Sequence, residues 1–126
     1  MSQPHLTTIL IVEDDESTAR LLKTLLEIEG FSAWVASQAP AAELLLQGQR
    51  PDVVLIDMHL AHAEGLDLLR TIRTDPTRAG TAVVMTSAMD RRDEALAAGA
   101  DAFLLKPFNR AELVTTIQRA LAKRQF

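Results

Sequence analysis

The sequence predicts an α/β fold: one doubly wound sheet of five parallel strands, ordered 2-1-3-4-5, with five helices covering its two faces. Short apolar runs alternate with longer segments of helical period along the whole 126 residues. Apolar residues make up 48% of the chain and aromatic ones only 4%. The interior is therefore built from Ala, Leu, Val and Ile, which suits helices packed on a parallel sheet. The length fits one domain comfortably and two poorly.

The first apolar run is Thr8 to Val12, stopped by Glu13, Asp14 and Asp15. A helix follows, with Leu22, Leu25, Leu26 and Glu29 at spacings of three and four, and Gly30 supplies its C-terminal stop. Ser32 to Ala36 reads as the second strand, and Pro40 sits in the first turn of a helix carrying Leu44 to Leu46. Gly48 and Pro51 break the chain before Val53, Val54, Leu55 and Ile56, an apolar run that ends abruptly in Asp57. A loop from Met58 to Glu64 leads to a helix with Leu66, Leu69 and Ile72 on one stripe, ended by Asp75 and Pro76.

Ala82 to Met85 form the fourth strand, closing on Thr86 and Ser87. A short helix between Arg91 and Ala98 ends at Gly99, and Ala102 to Leu105 make the fifth strand, running into Lys106 and Pro107. Asn109 and Glu112 are spaced as a capping box for the last helix. Val114, Ile117 and Leu121 are expected on the buried face of that helix. The expectation is a single domain over residues 1–126, with a core of about 7–124 and no output domain.

Composition narrows the function. The net charge of -4 argues against non-specific affinity for nucleic acid or an anionic membrane. The lack of cysteine excludes disulfides, thiolate metal sites and cysteine nucleophiles. No signal-peptide pattern and no apolar stretch of membrane-span length is present, so the expectation is a cytoplasmic protein.

The informative residues are those at strand ends. Strand one ends in Glu13 and Asp14, strand three in Asp57, strand four in Ser87 and strand five in Lys106. In a parallel sheet these ends share one edge, and ligands of open α/β sheets bind outside it where strand order reverses. Three carboxylates, a hydroxyl and an ammonium should therefore converge. Carboxylates brought together repel, and a hard divalent cation relieves the strain, with oxygen ligands selecting Mg2+ (or Mn2+) over softer metals. Asp57 is then a candidate nucleophile toward a phosphoryl group, whose developing charge the metal, Lys106 and Ser87 can neutralise.

The segments Ile9–Asp15 (ILIVEDD), Pro51–Asp57 (PDVVLID), Val83–Ala88 (VVMTSA) and Gly99–Phe108 (GADAFLLKPF) together resemble the receiver domains of two-component response regulators, chemotaxis regulators among them. The resemblance spans essentially the whole chain. It implies a flavodoxin-like fold, Asp57 as the residue phosphorylated by a histidine kinase or histidine phosphotransfer protein, and a downstream protein partner. It implies Asp14 as a direct metal ligand, Glu13 as one acting through water, and the backbone carbonyl of His59 as a further ligand. Ser87 resembles the switch hydroxyl, followed by the small Ala88, and Lys106 the ammonium that pairs with phosphate. The Lys106–Pro107 bond is expected to be cis. Phe103 falls on the aromatic switch position, whose ring swings inward when Ser87 moves toward phosphate. A monomer or a phosphorylation-dependent dimer is implied, with no direct contact to nucleic acid or membrane.

The sequence departs from that pattern in three places. Ala61 stands where the family usually has proline, so a looser loop is expected. The switch aromatic is Phe, which has no hydroxyl to anchor an outward state. Ser87 and Lys106 are nineteen residues apart, about three fewer than the resemblance suggests, so the fourth helix or the loop before it is shortened.

Blander readings exist for each residue. Glu13, Asp14 and Asp15 form a helix N-terminal acid cluster on their own terms, Asp57 a solvated strand end and Ser87 a turn former. Arg91, Arg92, Arg119, Lys123 and Arg124 form either a basic edge or ordinary solvated helix faces. His59 and His62 stand three apart, but His5 is the only other histidine, which argues against a transition-metal site. Two other functions compete: a degenerate receiver used as a scaffold, and a flavodoxin-type cofactor binder. The acids after strand one would repel the phosphate that a cofactor binder must hold there.

Overall fold

The computed structural model describes residues 6–61 and 63–124. In chain order the elements are β1 (Thr8–Val12), α1 (Glu16–Ile28), β2 (Ser32–Ala36), α2 (Ala39–Gly48), β3 (Val53–Asp57), β4 (His59–Leu60), β5 (Ala63–Glu64), α3 (Gly65–Arg73), a 3-10 turn (Pro76–Arg78), β6 (Ala82–Ser87), α4 (Arg92–Ala97), β7 (Ala102–Leu105) and α5 (Arg110–Arg124). Five strands form one sheet in the order β2-β1-β3-β6-β7, every neighbouring pair parallel. This is the expected order, because among the described residues β4 and β5 pair only with each other.

Alternation along each strand sends side chains to opposite faces and divides the interior in two. Leu10, Val12, Val54, Ile56, Val83 and Met85 pack with Leu46 of α2, Leu66, Leu69 and Ile72 of α3, and Ala95 of α4. Ile9, Ile11, Val53, Leu55, Ala82 and Val84 pack with Leu22 and Leu26 of α1 and with Leu113, Ile117 and Ala120 of α5. With helices on both faces, the central strands are buried and only the strand ends remain for polar residues. That is why the acids stand where they do.

Several boundaries differ from expectation. The buried face of α5 is Leu113, Ile117 and Ala120, while Val114 and Leu121 are only half-buried. One residue step turns a helix by about 100°, and Ile117 belongs to both stripes. Contact with the sheet, which the sequence does not display, selects between them. Leu44 points outward although Leu46 of the same helix is buried. The stretch after Asp57 is a small antiparallel hairpin, with His59 opposite Glu64 and Leu60 opposite Ala63. The fourth helix, by contrast, is short as expected, at six residues.

Candidate functional site at the C-terminal sheet edge

Glu13 and Asp14 directly follow β1, and Asp57 is the last residue of β3. Parallel pairing of Val12 with Ile56 sets these ends side by side. Ligand oxygens of Glu13, Asp14 and Asp57 lie within 4.8 Å of one another, which makes them a cluster able to hold a metal ion. Glu13 and Asp57 are buried, and Asp14 is half-buried. Asp15 stands apart from the group. It caps α1, its carboxylate accepting from the Thr18 amide at 3.1 Å. The acid run thus divides between a site and a helix cap.

Lys106 follows β7, and its amide extends the ladder by donating to the Ser87 carbonyl at 2.8 Å. Its side chain crosses to the acids, with Nζ donating to Glu13 Oε1 and to Asp57 Oδ2, each at 3.0 Å. The other oxygens are also engaged: Asp57 Oδ1 accepts from the His59 amide at 3.0 Å, and Glu13 Oε2 from the Asp15 amide at 3.2 Å. Burial pushes the Glu13 carboxyl above its ordinary value, against the opposing pull of Lys106 and the Asp15 amide. For Lys106 burial acts downward, but hydrogen bonds to Asp57 and Glu13 outweigh it and hold the ammonium above its ordinary value. Three carboxylates face one ammonium.

Ser87 ends β6, buried, with its hydroxyl oxygen accepting from the Met89 amide at 3.1 Å. Phe103 in β7 is buried, and the Arg92 guanidinium lies 5.5 Å from its ring centroid. The ring is therefore inside while the Ser87 hydroxyl is still held by its own loop. The Lys106–Pro107 bond is cis. His59 and Met89 are exposed beside the site, and His62 lies outside the described residues. The supposed basic edge is largely taken up by pairing within the fold: Arg91 with Glu64 and Glu94, Arg124 with Asp101, and Arg92 over Phe103.

Sequence reasoning passed over Gly65. This glycine opens α3, and its amide donates to the Met58 carbonyl at 2.8 Å, which draws it against the backbone of the site acid. A glycine where a helix begins, in place of a better helix former, was the available signal.

The response regulator receiver domain family matches residues 9–118. The chain belongs to that family. It is 33% identical over 121 residues to the phosphate regulon transcriptional regulatory protein PhoB of Rhizobium meliloti, covering 94% of this chain and 53% of that protein. It is 36% identical over 118 residues to the DNA-binding response regulator MtrA of Mycolicibacterium paratuberculosis, covering 91% of this chain and 51% of that one. Among solved structures, the chemotaxis response regulator CheY4 of Vibrio cholerae superimposes with a TM-score of 0.87 at 26% identity, over 93% of this chain and 100% of that one. The chain spans about half the length of the curated relatives it matches. Among the described residues, no helix is long and apolar enough to cross a membrane.

Proposed function

We propose that Asp57 is a phosphoacceptor and that the chain is the phosphorylation-controlled switch of a two-component system or phosphorelay. The supporting observation is the Lys106 ammonium 3.0 Å from both Glu13 and Asp57, with Asp14 in the same cluster. The donor is a phosphohistidine on a histidine kinase or histidine phosphotransfer protein. An Asp57 oxygen attacks phosphorus, the donor's P–N bond breaks, and the released imidazole takes up a proton. The product is an acyl phosphate. The domain assists only its own phosphorylation and dephosphorylation.

The donor set fits a hard divalent cation, since the clustered acids offer only oxygen and their charge exceeds that of one ammonium. Glu13, Asp14, Asp57 and the His59 backbone carbonyl are the residues that would hold Mg2+ or Mn2+. When bound, such an ion supplies charge neutralisation for the transferring phosphoryl group. Lys106 pairs with the phosphoryl oxygens, and the Ser87 hydroxyl leaves Met89 to bond them. That movement, with Phe103 behind it, alters a protein-binding surface. The partner downstream is a protein, the setting is cytoplasmic, and the domain acts as a monomer or as a dimer formed on phosphorylation.

Intact-mass measurement with a small phosphodonor and Mg2+ tests this reading. Wild type should gain one phosphoryl group and Asp57→Asn none; uptake by the variant would move the acceptor elsewhere. A second reading, a scaffold that works without phosphoryl transfer, draws on Phe103 being already buried beneath Arg92. A wild type that stays unmodified would favour it.

A further inference from the structure

The hairpin after Asp57 and the loop after Ser87 stand beside the acid cluster, and among the described residues one ion pair joins them. Glu64 Oε2 lies 3.3 Å from Arg91 Nη1. Arg91 is held from its other side by Glu94, with Nε to Oε1 at 2.8 Å and Nη2 to Oε2 at 2.9 Å. That two-pronged grip orders the guanidinium before Glu64 is reached, so closing the second contact demands little further loss of freedom. An isolated pair of long side chains on a surface lacks this advantage.

Each end of the ion pair leads to the site. Glu64 stands opposite His59 in the hairpin register, and the His59 amide holds Asp57 Oδ1 at 3.0 Å. Arg91 ends the loop that starts at Ser87, whose hydroxyl oxygen holds the Met89 amide at 3.1 Å. The Asp90 carboxylate accepts from the Arg92 amide at 3.2 Å and fixes the turn into α4. The pair therefore spans from the group that orients the acid to the loop that carries the hydroxyl.

We propose that Arg91 and Glu64 form a strap across the mouth of the Asp57 site that slows loss of the phosphoryl group, an inference that rests on Asp57 being the acceptor. Hydrolysis requires water to add to phosphorus as the bond to Asp57 breaks. The carboxylate is regenerated, and the hydrogens of the water leave with inorganic phosphate or solvent. A hairpin fastened to the opposite loop narrows the approach of that water and keeps the His59 amide on its acid. Arg91 and Glu64 are positioning residues: neither touches the acid cluster directly.

The test is the decay of phosphorylated protein, followed by intact mass after the small phosphodonor is removed. Arg91→Gln and Glu64→Gln should each hasten decay about two- to fivefold, the range open to a partly exposed ion pair. The double variant should decay no faster than the faster single one, because both changes remove the same contact. Raising ionic strength should shorten the wild-type lifetime toward that of the variants, which should themselves respond less. Decay at the wild-type rate in both single variants, or a double effect equal to the product of the singles, overturns the proposal. A second arm needs no phosphate: amide exchange at His59 and Leu60 should quicken in Arg91→Gln, and unchanged exchange overturns the strap. A wild type that takes up no phosphoryl group would defeat the Asp57 reading, while the exchange arm would still judge the strap.

Discussion

A Cβ at position 65 would lie 2.2 Å from the Asp57 carbonyl oxygen and 2.9 Å from the Met58 Cα, with only backbone in the way. No side-chain rotation relieves such a contact, so Gly65→Ala must displace the strand end that carries Asp57. We expect a loss of about 1–3 kcal/mol in stability, typical of overpacking. Phosphoryl uptake should slow by roughly tenfold or more, since misplacing a reacting group by an ångström is enough for that. Uptake is to be timed by intact mass at a temperature where circular dichroism reports a folded protein. Gly80→Ala serves as the control, because a Cβ there meets nothing within 4 Å. Equal rates in the two variants would remove Gly65 from the site. Glu13, Asp14, Asp57 and Lys106 were legible in the sequence because each stands at a strand end, and a parallel sheet gathers its strand ends. Gly65 and the Arg91–Glu64 pair were not. Their roles arise from close approach between segments, which no local pattern encodes.

Two helices begin with different caps, and acid distinguishes them. The Asp15 carboxylate accepts from Thr18 at the start of α1, while the Asn109 amide oxygen accepts from the Glu112 amide at 2.8 Å ahead of α5. Hydrogen bonds from the Thr18 hydroxyl and amide hold the Asp15 carboxyl below its ordinary value of 3.8. With the folded value below the unfolded one, the contribution of this cap is complete above pH 3.8 and is lost as pH falls through the folded value. The Asn109 acceptor does not titrate. Amide protection at Thr18, taken relative to the intrinsic exchange rate, should therefore decline below pH 3.8 while that at Glu112 persists. Nuclear magnetic resonance exchange measurements decide it, and a parallel decline at both amides would contradict the assignment. The capping box was readable from spacing alone, since its partners are three residues apart. The buried face of α5 was not, because stripes through Leu113 and Val114 both satisfy the helical period. Hydrophobicity favours Leu121 over Ala120, yet the smaller residue is the one pressed against the sheet.

The acid cluster lies at one edge of the sheet and a charged lock at the other. Asp101 is buried just before β7 and accepts from Arg73 Nη2 at 2.8 Å, Arg124 Nε at 2.8 Å and the Val83 amide at 2.9 Å. Arg73 also donates to the carbonyls of Gly99 and Thr81, each at 2.8 Å, and Lys123 to the Asp101 carbonyl at 2.8 Å. The ends of α3 and α5 and the starts of β6 and β7 are thereby fastened together. Gly99, at a φ of 109°, gives Arg73 its passage, since a Cβ there would come within 2.9 Å of the arginine stem. Removing Asp101 leaves Arg73 and Arg124 without their shared carboxylate. Asp101→Ala should therefore cost about 3–5 kcal/mol, or roughly 10 °C or more in Tm for a chain of this size. Replacing Asp101 by Leu together with Arg73 and Arg124 by Met should recover part of that loss, because apolar packing can substitute for a buried ion cluster once none of its charges remains. Asp101 bonds to Val83 and Asp57 pairs with Thr86, three residues apart along β6 and on opposite sides of it, which at the usual strand rise and spacing puts the lock about 14 Å from Asp57, so its effect should not reach the acid cluster. At a temperature where Asp101→Ala is still folded, phosphoryl uptake at Asp57 should match wild type within about twofold. A Tm loss of only a degree or two, or slowed uptake by folded protein, would mean that the two edges are not independent and that the lock is part of the switch.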